Sequence, residues 1–234
     1  MKVVGIIPAR YGSSRFPGKP LVDIAEKSMI QRVYEQAKKA KLSDVIVATD
    51  DQRIFDEVIT FGGKVVMTSN DHPSGTDRCL EALQKLEVGH DAVINIQGDE
   101  PFIQPEQINK VANCFKNPST QIATLAKVIK NESVLLDVNS PKVSFNDESI
   151  ALTFSRKITI EAGEKYFKHI GIYGYRTDVL REITQLAQSK NEISERLEQL
   201  RWLDNGYKIR VELTELETIS IDTPEDLKKI EGLA

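Results

Sequence analysis

The sequence predicts an α/β fold in which a mainly parallel sheet lies between two layers of helices. Short apolar runs at residues 3–7, 45–48 and 92–96 have the composition of buried parallel strands. Segments with helical spacing of apolar residues separate these runs, so strand and helix alternate along the chain. The 234 residues are enough to form one such domain, and the sequence is interpreted as a single domain over 1–234.

The composition argues against several classes of protein. Hydrophobic residues make up 40% of the chain and no apolar run is long enough to cross a membrane, so we expect no membrane partner. The formal net charge of −4 argues against binding to a nucleic acid polymer. The first strand begins almost at the amino terminus and leaves no room for a signal peptide, which indicates a cytoplasmic protein. Cys79 and Cys114 are expected to be buried free thiols.

A basic loop follows the first predicted strand, and residues 8–20 read PARYGSSRFPGKP. Its cations Arg10, Arg15 and Lys19 can pair with several phosphate oxygen atoms, and its small residues allow backbone N–H groups to approach an anion closely. The loop matches neither of the usual glycine patterns for dinucleotides or for P-loops. Ligands bind at the carboxyl ends of strands in α/β sheets, so this position favours a phosphate site over a basic surface loop.

The following elements are predicted in order. Helices are expected near 29–37, 54–59, 80–86 and 105–115, and strands at 45–48, 64–67, 92–96 and 122–126. Ser28 is a plausible cap for the first helix, and Ser74 or Thr76 for the third. Arg78 is unusual, because a cation in the first turn of a helix opposes the helix dipole unless an anion lies nearby. His72 is interpreted as a hydrogen-bonding loop residue.

The pattern changes after residue 141. A hairpin is predicted from 142–145 and 150–154, followed by an alternating strand at 166–175, helices at 178–186 and 193–204, and a strand at 208–211. We interpret this region as a small antiparallel layer, with helices that complete a site over the crevice. The last helix is expected to begin at a Thr223 cap with Pro224 at its first position.

Two aspartates are candidates for a metal site. Asp99 follows the predicted central strand 92–96, and Asp222 is placed at the tip of a strand over 219–221. Carboxylates at such positions can hold a hard cation against phosphates, although Asp99 could instead form a turn before Pro101. No Ser-His or Cys-His nucleophile pair is evident. The residues alone therefore favour a Mg²⁺-dependent nucleotidyltransferase or glycosyltransferase.

Seven segments together resemble the CMP-Kdo synthetases, the 3-deoxy-manno-octulosonate cytidylyltransferases. They occur in the family's order at 8–21, 74–78, 95–101, 154–156, 169–175, 197–201 and 222–226. The resemblance implies the Rossmann-like three-layer sandwich of nucleotide-diphospho-sugar transferases, with a small antiparallel extension. It also implies transfer of CMP from CTP to the anomeric hydroxyl of the acidic sugar Kdo, with release of pyrophosphate, for lipopolysaccharide synthesis.

The matching segments imply roles for individual residues. Mg²⁺ would be bound by Asp99 and Asp222, which with Arg10 and Lys19 form the implied catalytic set. The implied nucleotide site consists of Pro8, Ala9, Arg10, Ser13, Ser14, Arg15, Lys19, Ser74 and Gln97. The implied sugar site consists of Arg78, Gln97, Arg156, His169, Tyr173, Glu198 and Gln199. Residues 141–205 would form a subregion for the sugar site and for a homodimer contact.

Two segments depart from the family pattern. Residues 157–165 form a shorter link without the usual proline, and residues 188–193 replace the usual Pro-Ser-Pro-Leu-Glu sequence. Both lie beside the sugar pocket in the family, so 8-amino-Kdo as substrate, or a CTP-binding protein with an impaired sugar site, are alternatives. A glycosyltransferase is a further alternative, but it would usually carry an Asp-x-Asp pair, which neither Asp99 nor Asp50-Asp51 provides.

Overall fold

The computed structural model describes residues 1–13, 15–158 and 164–230. The strands in these ranges are β1 (Val3–Ala9), β2 (Asp23–Ile24), β3 (Lys27–Ser28), β4 (Asp44–Thr49), β5 (Val65–Met67), β6 (Ala92–Asn95), β7 (Ile122–Val128), β8 (Lys142–Phe145), β9 (Ala151–Ser155), β10 (Phe167–Arg176) and β11 (Ile209–Leu213). The α-helices are α1 (Met29–Lys38), α2 (Gln52–Thr60), α3 (Gly75–Gln84), α4 (Pro105–Cys114), α5 (Glu132–Leu136), α6 (Thr177–Ile183), α7 (Lys190–Glu195) and α8 (Gln199–Asp204). Short 3₁₀ helices occupy Lys19–Leu21 and Pro224–Ile230.

The main sheet is mixed. Its principal strand order is β11-β7-β10-β6-β1-β4-β5, and the hairpin of β8 and β9 attaches to β10. Strand β1 pairs in parallel with β4 and β6, β4 with β5, and β11 with β7. Only β10 reverses direction among the seven strands of this order, because it pairs antiparallel with both β6 and β7. Strand β6 lies at the centre, as the sequence predicts.

Helices cover both faces of the sheet and create two apolar cores. On one face, apolar side chains of α1, α2 and α4 pack against the strands. On the other face, α3, α6 and α8 do the same. Cys114 is buried in the first core and Cys79 in the second, and both are free thiols. This confirms the prediction of buried free thiols, and burial raises the pKa of the Cys114 thiol to about 12.

The predicted side-chain caps of α1 and α3 are present. Ser28, Asp51 and Ser74 each accept a backbone N–H bond at the start of α1, α2 and α3. Ser74 rather than Thr76 caps α3. Among the described residues, no helix is both long and apolar enough to cross a membrane.

Five predictions about the second half are wrong in detail. The strand at 166–175 does not belong to a separate layer, because β10 lies inside the main sheet. The helix expected over 193–204 is interrupted, since Arg196 adopts a left-handed conformation with φ of 54° and separates α7 from α8. Residues 219–221 do not form a strand, and the last helix is 3₁₀ rather than α. The helix expected over 178–186 ends at Ile183.

Gly174 allows α4 to pack closely on β10. A Cβ atom at this position would lie 2.5 Å from Phe115 Cε2 and 2.8 Å from Val111 Cγ1, both on or next to α4. Ile94 Cδ1 of the neighbouring strand would be only 2.9 Å away. A side chain here would therefore push the helix from the sheet.

We expect Gly174→Ala to lower the free energy of unfolding by about 1–3 kcal/mol, because it overpacks a close-packed core. Urea-induced unfolding followed by circular dichroism measures this change. Gly89→Ala is the control, since a Cβ atom at Gly89 meets no other atom within 4 Å. Equal stability of the two variants would contradict the proposed packing role of Gly174.

Candidate active site

The described structure brings most of the predicted nucleotide-site residues to one cavity at the carboxyl end of the sheet. We call it the main cavity because most of the predicted residues line it, and its volume is about 260 Å³. Predicted residues that line it are Pro8, Ala9, Arg10, Ser13, Arg15, Lys19, Ser74, Arg78, Gln97, Asp99 and Asp222. Ser14 was also predicted, but it lies outside the described residues. The main cavity is lined by four cations, two carboxylates and small residues, a surface suited to a polyphosphate.

The basic loop is held in a compact conformation by its own backbone. The carbonyl oxygen of Tyr11 accepts hydrogen bonds from the N–H groups of Ser13, at 2.9 Å, and Gly18, at 3.0 Å. Gly18 has a φ of 73°, and a Cβ atom at this position would lie only 3.0 Å from Cζ of the Tyr11 ring. The guanidinium of Arg53 covers the ring, with Cζ 3.3 Å from its centroid. These contacts fix the segment between Arg10 and Lys19.

Asp99 and Asp222 converge on one ammonium group. Lys19 Nζ lies 2.8 Å from Asp99 Oδ2 and 3.3 Å from Asp222 Oδ1. Arg15 forms a second ion pair with Asp222, at 2.9 Å. The two carboxylates, 123 positions apart in sequence, therefore face the same point of the main cavity.

The arrangement fits a divalent cation. An ammonium nitrogen already lies within 3.3 Å of one oxygen atom from each carboxylate. In the described ranges no group of three or more His, Cys, Asp or Glu side chains could hold a metal ion. A cation at this point would meet the two aspartate carboxylates, and Mg²⁺ commonly combines one or two carboxylates with substrate phosphates and water.

Asp222 reaches Asp99 without the strand that the sequence predicts. The Ile221 N–H donates a 2.9 Å hydrogen bond to the Asp99 carbonyl oxygen, and this bond joins the two segments. Ile221 is also fully buried in a small apolar cluster, where Phe16 of the basic loop and Phe102 beyond Asp99 pack around it. The Asp226 carboxylate accepts the N–H groups of residues 222 and 223, each at 2.9 Å. Packing between loops therefore positions the second aspartate.

Arg78 has the anionic neighbour that its position on a helix requires. Its guanidinium donates to Asp50 Oδ2 and to Thr68 Oγ1, each at 2.6 Å, and the side chain is buried. His72 also lines the main cavity and contacts the Glu81 carboxylate, which agrees with its interpretation as a hydrogen-bonding loop residue. The sequence prediction missed Asp50. Its position after β4 could have revealed it by the same rule that identified Asp99.

The predicted sugar-site residues are not all in the main cavity. Gln97 and Arg78 line it. Glu198 lines a neighbouring second cavity of about 410 Å³, which shares Pro73 and Ser74 with the main cavity. The remaining predicted residues, within the part of the chain described, line neither cavity: they are Arg156, His169, Tyr173 and Gln199.

Buried contacts hold several of these side chains. His169 Nε2 lies 3.0 Å from Thr124 Oγ1, and the Phe154 ring meets the imidazole edge-on. Burial lowers the pKa of His169 to about 3. Tyr173 is buried against the Trp202 ring.

Glu198 and Arg156 have different environments. Glu198 Oε2 accepts a 3.0 Å hydrogen bond from Thr76 Oγ1, and burial raises the pKa of Glu198. The Arg156 guanidinium donates to the backbone carbonyl oxygens of Val138, Glu195 and Arg196. In this structure Arg156, which directly follows β9, thus connects the end of that strand to the bend between α7 and α8.

Comparison with known proteins identifies the family. A family model described as cytidylyltransferase matches residues 4–219. The chain belongs to the cytidylyltransferase family. A 3-deoxy-manno-octulosonate cytidylyltransferase from Parabacteroides distasonis is 58% identical and aligns over 98% of this chain and 96% of its own length. The protein of the same name from Fusobacterium nucleatum is 45% identical over 98% of this chain and 96% of its own length.

Solved structures agree with this assignment. A structure of CMP:2-keto-3-deoxy-manno-octonic acid synthetase complexed with CTP is 44% identical, with a TM-score of 0.94 over 100% of this chain and 98% of that protein. A cytidylyltransferase from Leptospira borgpetersenii, 18% identical, has a TM-score of 0.67 over 99% of this chain and 85% of its own length, and shows the fold alone. The fold class and the family resemblance predicted from the sequence are both confirmed.

The depressed pKa of His169 leads to a testable pH dependence of stability. Its pKa is about 3 in the folded protein against 6.5 for an ordinary histidine. Below pH 6.5 the unfolded chain therefore binds a proton that the folded protein does not. The free energy of unfolding then decreases as the pH is lowered, by at most about 1.4 kcal/mol per pH unit.

We expect His169→Gln to remove the part of the pH dependence of unfolding free energy that comes from His169. The comparison is made between pH 6.5 and about pH 5, above the main titration range of the carboxylates. Urea unfolding at several pH values measures the slope for the variant and the unmodified protein. Identical slopes, or an NMR titration of His169 near pH 6.5, would show that the imidazole is not held neutral by burial.

Proposed function

We propose that this protein transfers CMP from CTP to the anomeric hydroxyl of Kdo, giving CMP-Kdo and pyrophosphate for lipopolysaccharide synthesis. Relatives named 3-deoxy-manno-octulosonate cytidylyltransferase are 45–58% identical over nearly the whole chain. The structural observation that carries the proposal is the convergence of Lys19, Asp99 and Asp222 at one point of the main cavity. This arrangement supplies the charges that a nucleotidyl transfer needs.

The nucleotide half of the reaction depends on the basic loop. Arg10, Arg15 and Lys19 are proposed to bind the triphosphate oxygen atoms, with Ser13 and Ser14 completing the loop and Pro8, Ala9, Ser74 and Gln97 contacting the nucleotide. Mg²⁺ held by Asp99 and Asp222 would neutralise phosphate charge and lower the pKa of the sugar hydroxyl. Lys19 can exchange its present carboxylate partners for phosphate oxygen atoms.

No covalent intermediate with the protein is required. The anomeric oxygen of the sugar forms a bond to the α-phosphorus, the bond from that phosphorus to the β-phosphate breaks, and pyrophosphate leaves while the hydroxyl proton passes to solvent. The chain contributes by orienting the two substrates and by stabilising charge on the phosphates. The lack of a Ser-His or Cys-His pair in the sequence analysis is consistent with this chemistry.

The sugar half is proposed to involve Arg78, Gln97, Arg156, His169, Tyr173, Glu198 and Gln199. A guanidinium group is a natural partner for the Kdo carboxylate. Glu198 lies on the second cavity beside Pro73 and Ser74, which connects it to the nucleotide site. We further propose that 141–205 acts as the sugar and dimerisation subregion of one domain, in a cytoplasmic homodimer.

Pyrophosphate release from CTP with Mg²⁺ and Kdo tests the proposed function. ATP and UTP serve as nucleotide controls, and 8-amino-Kdo is measured in parallel. Turnover with CTP and Kdo supports the proposal, whereas preference for 8-amino-Kdo would assign that substrate. CTP binding without turnover on either sugar would instead indicate a CTP-binding protein. Residues 157–165, part of which lies outside the described ranges, would then be the first segment to replace with the family's longer link.

Removal of either carboxylate tests the metal site. Asp99→Asn and Asp222→Asn are each expected to lower kcat by about 10²- to 10³-fold, because each removes a carboxylate that would hold the Mg²⁺ that neutralises phosphate charge. Chelation of divalent cations should abolish turnover of the unmodified protein, and added Mg²⁺ should restore it.

The control is Asp56→Asn, because Asp56 is exposed on α2 and its carboxylate accepts a 2.7 Å hydrogen bond from Gln52 of the same helix. Circular dichroism checks that each variant is folded. Near-normal kcat for a folded Asp99 or Asp222 variant would show that the two carboxylates do not form the metal site.

A further inference from the structure

Glu192 and Arg201 form a buried ion pair that joins α7 to α8. Arg201 donates to the Glu192 carboxylate twice, from Nε to Oε2 at 2.8 Å and from a terminal nitrogen to Oε1 at 2.5 Å. Only 5% of Glu192 and 7% of Arg201 is exposed. Two parallel bonds between planar groups fix the relative orientation of the two helices.

The same carboxylate also organises the start of α7. Glu192 accepts the Ser189 backbone N–H at 3.2 Å, while the Ser189 hydroxyl accepts the Glu192 N–H in return. This capping box fixes Glu192 on the first turn of its helix. The ion pair therefore ties the first turn of α7 to α8 across the intervening bend.

The bend that the pair encloses carries Glu198. Arg196 has a left-handed backbone and Leu197 is buried in the core, so the helical conformation is interrupted between α7 and α8. Glu198 follows immediately and points toward α3, where Thr76 Oγ1 donates to its carboxylate at 3.0 Å. A shift of α8 relative to α7 would move Glu198 away from Thr76.

Glu198 and the ion pair share one cavity wall. Glu192, Glu198 and Arg201 all line the second cavity, together with Pro73 and Ser74 of the main cavity. The charged atoms of Glu192 and Arg201 are engaged with each other, which leaves Glu198 as the carboxylate of this wall that can face a ligand. The Arg201 charge also opposes the effect of burial on Glu198.

We infer that Glu192 and Arg201 are positioning residues that hold Glu198 in the sugar half of the site. They act through the geometry of the α7–α8 bend and make no contact with the nucleotide. This inference rests on the proposed function, because it assigns the second cavity to the sugar substrate. It predicts that the pair affects recognition of the sugar and leaves recognition of CTP unchanged.

The test removes both charges together. Glu192→Leu with Arg201→Met leaves no unpaired charge in the core, and such replacements commonly preserve the fold. We expect the KM for Kdo to rise by about 10- to 100-fold, since small displacements of a positioning group have effects of this size. The KM for CTP should stay within about twofold, because the pair acts on Glu198 and not on the nucleotide half of the site. A purely structural defect would instead raise the KM values for both substrates.

Two further variants accompany the double variant. Arg201→Lys keeps the charge but loses the two-bond geometry, and it should give a smaller rise in the KM for Kdo. Asn191→Ala is the matched control, because Asn191 also connects α7 to α8, through a 2.9 Å bond to Asp204 at the surface. Its KM values should equal those of the unmodified protein.

Trp202, the single tryptophan of the chain, reports whether α8 stays in place. Its ring packs nearly perpendicular to the rings of both Tyr173 and Tyr175, so native emission and a cooperative unfolding transition identify a folded variant. If the double variant does not fold, the test uses Arg201→Lys instead. The rise in its KM for Kdo is then compared with the change in its KM for CTP.

Equal KM values for Kdo in a folded pair variant and in the unmodified protein would overturn the inference, as would equal increases for both substrates. Absence of turnover in the unmodified protein would instead refute the proposed function, and the inference with it. Turnover of the unmodified protein, which is measured first, therefore distinguishes failure of the proposed function from failure of the inference.

Discussion

The placement of the Lys19 ammonium between Asp99 and Asp222 is the constraint on which the site depends. Two carboxylates that face the same point repel each other unless a cation lies between them. Lys19 supplies that cation, at 2.8 Å and 3.3 Å, and so joins the basic loop to two distant parts of the chain. The same ammonium can bind phosphate oxygen atoms. Under the proposed function, Lys19 would therefore have two sets of partners, one within the protein and one on a nucleotide.

Apolar packing makes this convergence of charges possible. Ile221 is fully buried beside Phe16 and Phe102, which precede Lys19 and follow Asp99 respectively. Side-chain burial contributes about 1.5–3 kcal/mol for a residue of this kind, which is more than an exposed ion pair provides. The cluster and the bond from the Ile221 N–H to the Asp99 carbonyl thus bring the loops together, and the ion pairs then set the orientation of the charged groups.

The sequence was informative where local rules govern the structure. Asp99 could be identified because the apolar run before it ends at a defined strand tip, and the need of Arg78 for an anion followed from its helical position. Strand order could not be deduced, because alternation in 166–175 predicts a strand but gives no information about its neighbours. Asp222 was expected near Asp99 on an incorrect argument, since its position depends on packing between loops and not on a strand. The break at Arg196 has no local signal, because arginine is a good helix former.

The two halves of the site are built on different supports. Arg10 and Asp99 follow strands of the central sheet, whereas Glu198 lies on a bend between two short helices. Backbone hydrogen bonds between strands hold the central sheet. The bend between α7 and α8 depends instead on a few side-chain contacts, such as the ion pair of Glu192 and Arg201. Sequence changes near the bend can therefore alter the proposed sugar half of the site without moving the basic loop. The departure from the family pattern at 188–193, which includes Glu192, should accordingly affect which sugar is accepted and not which nucleotide is bound.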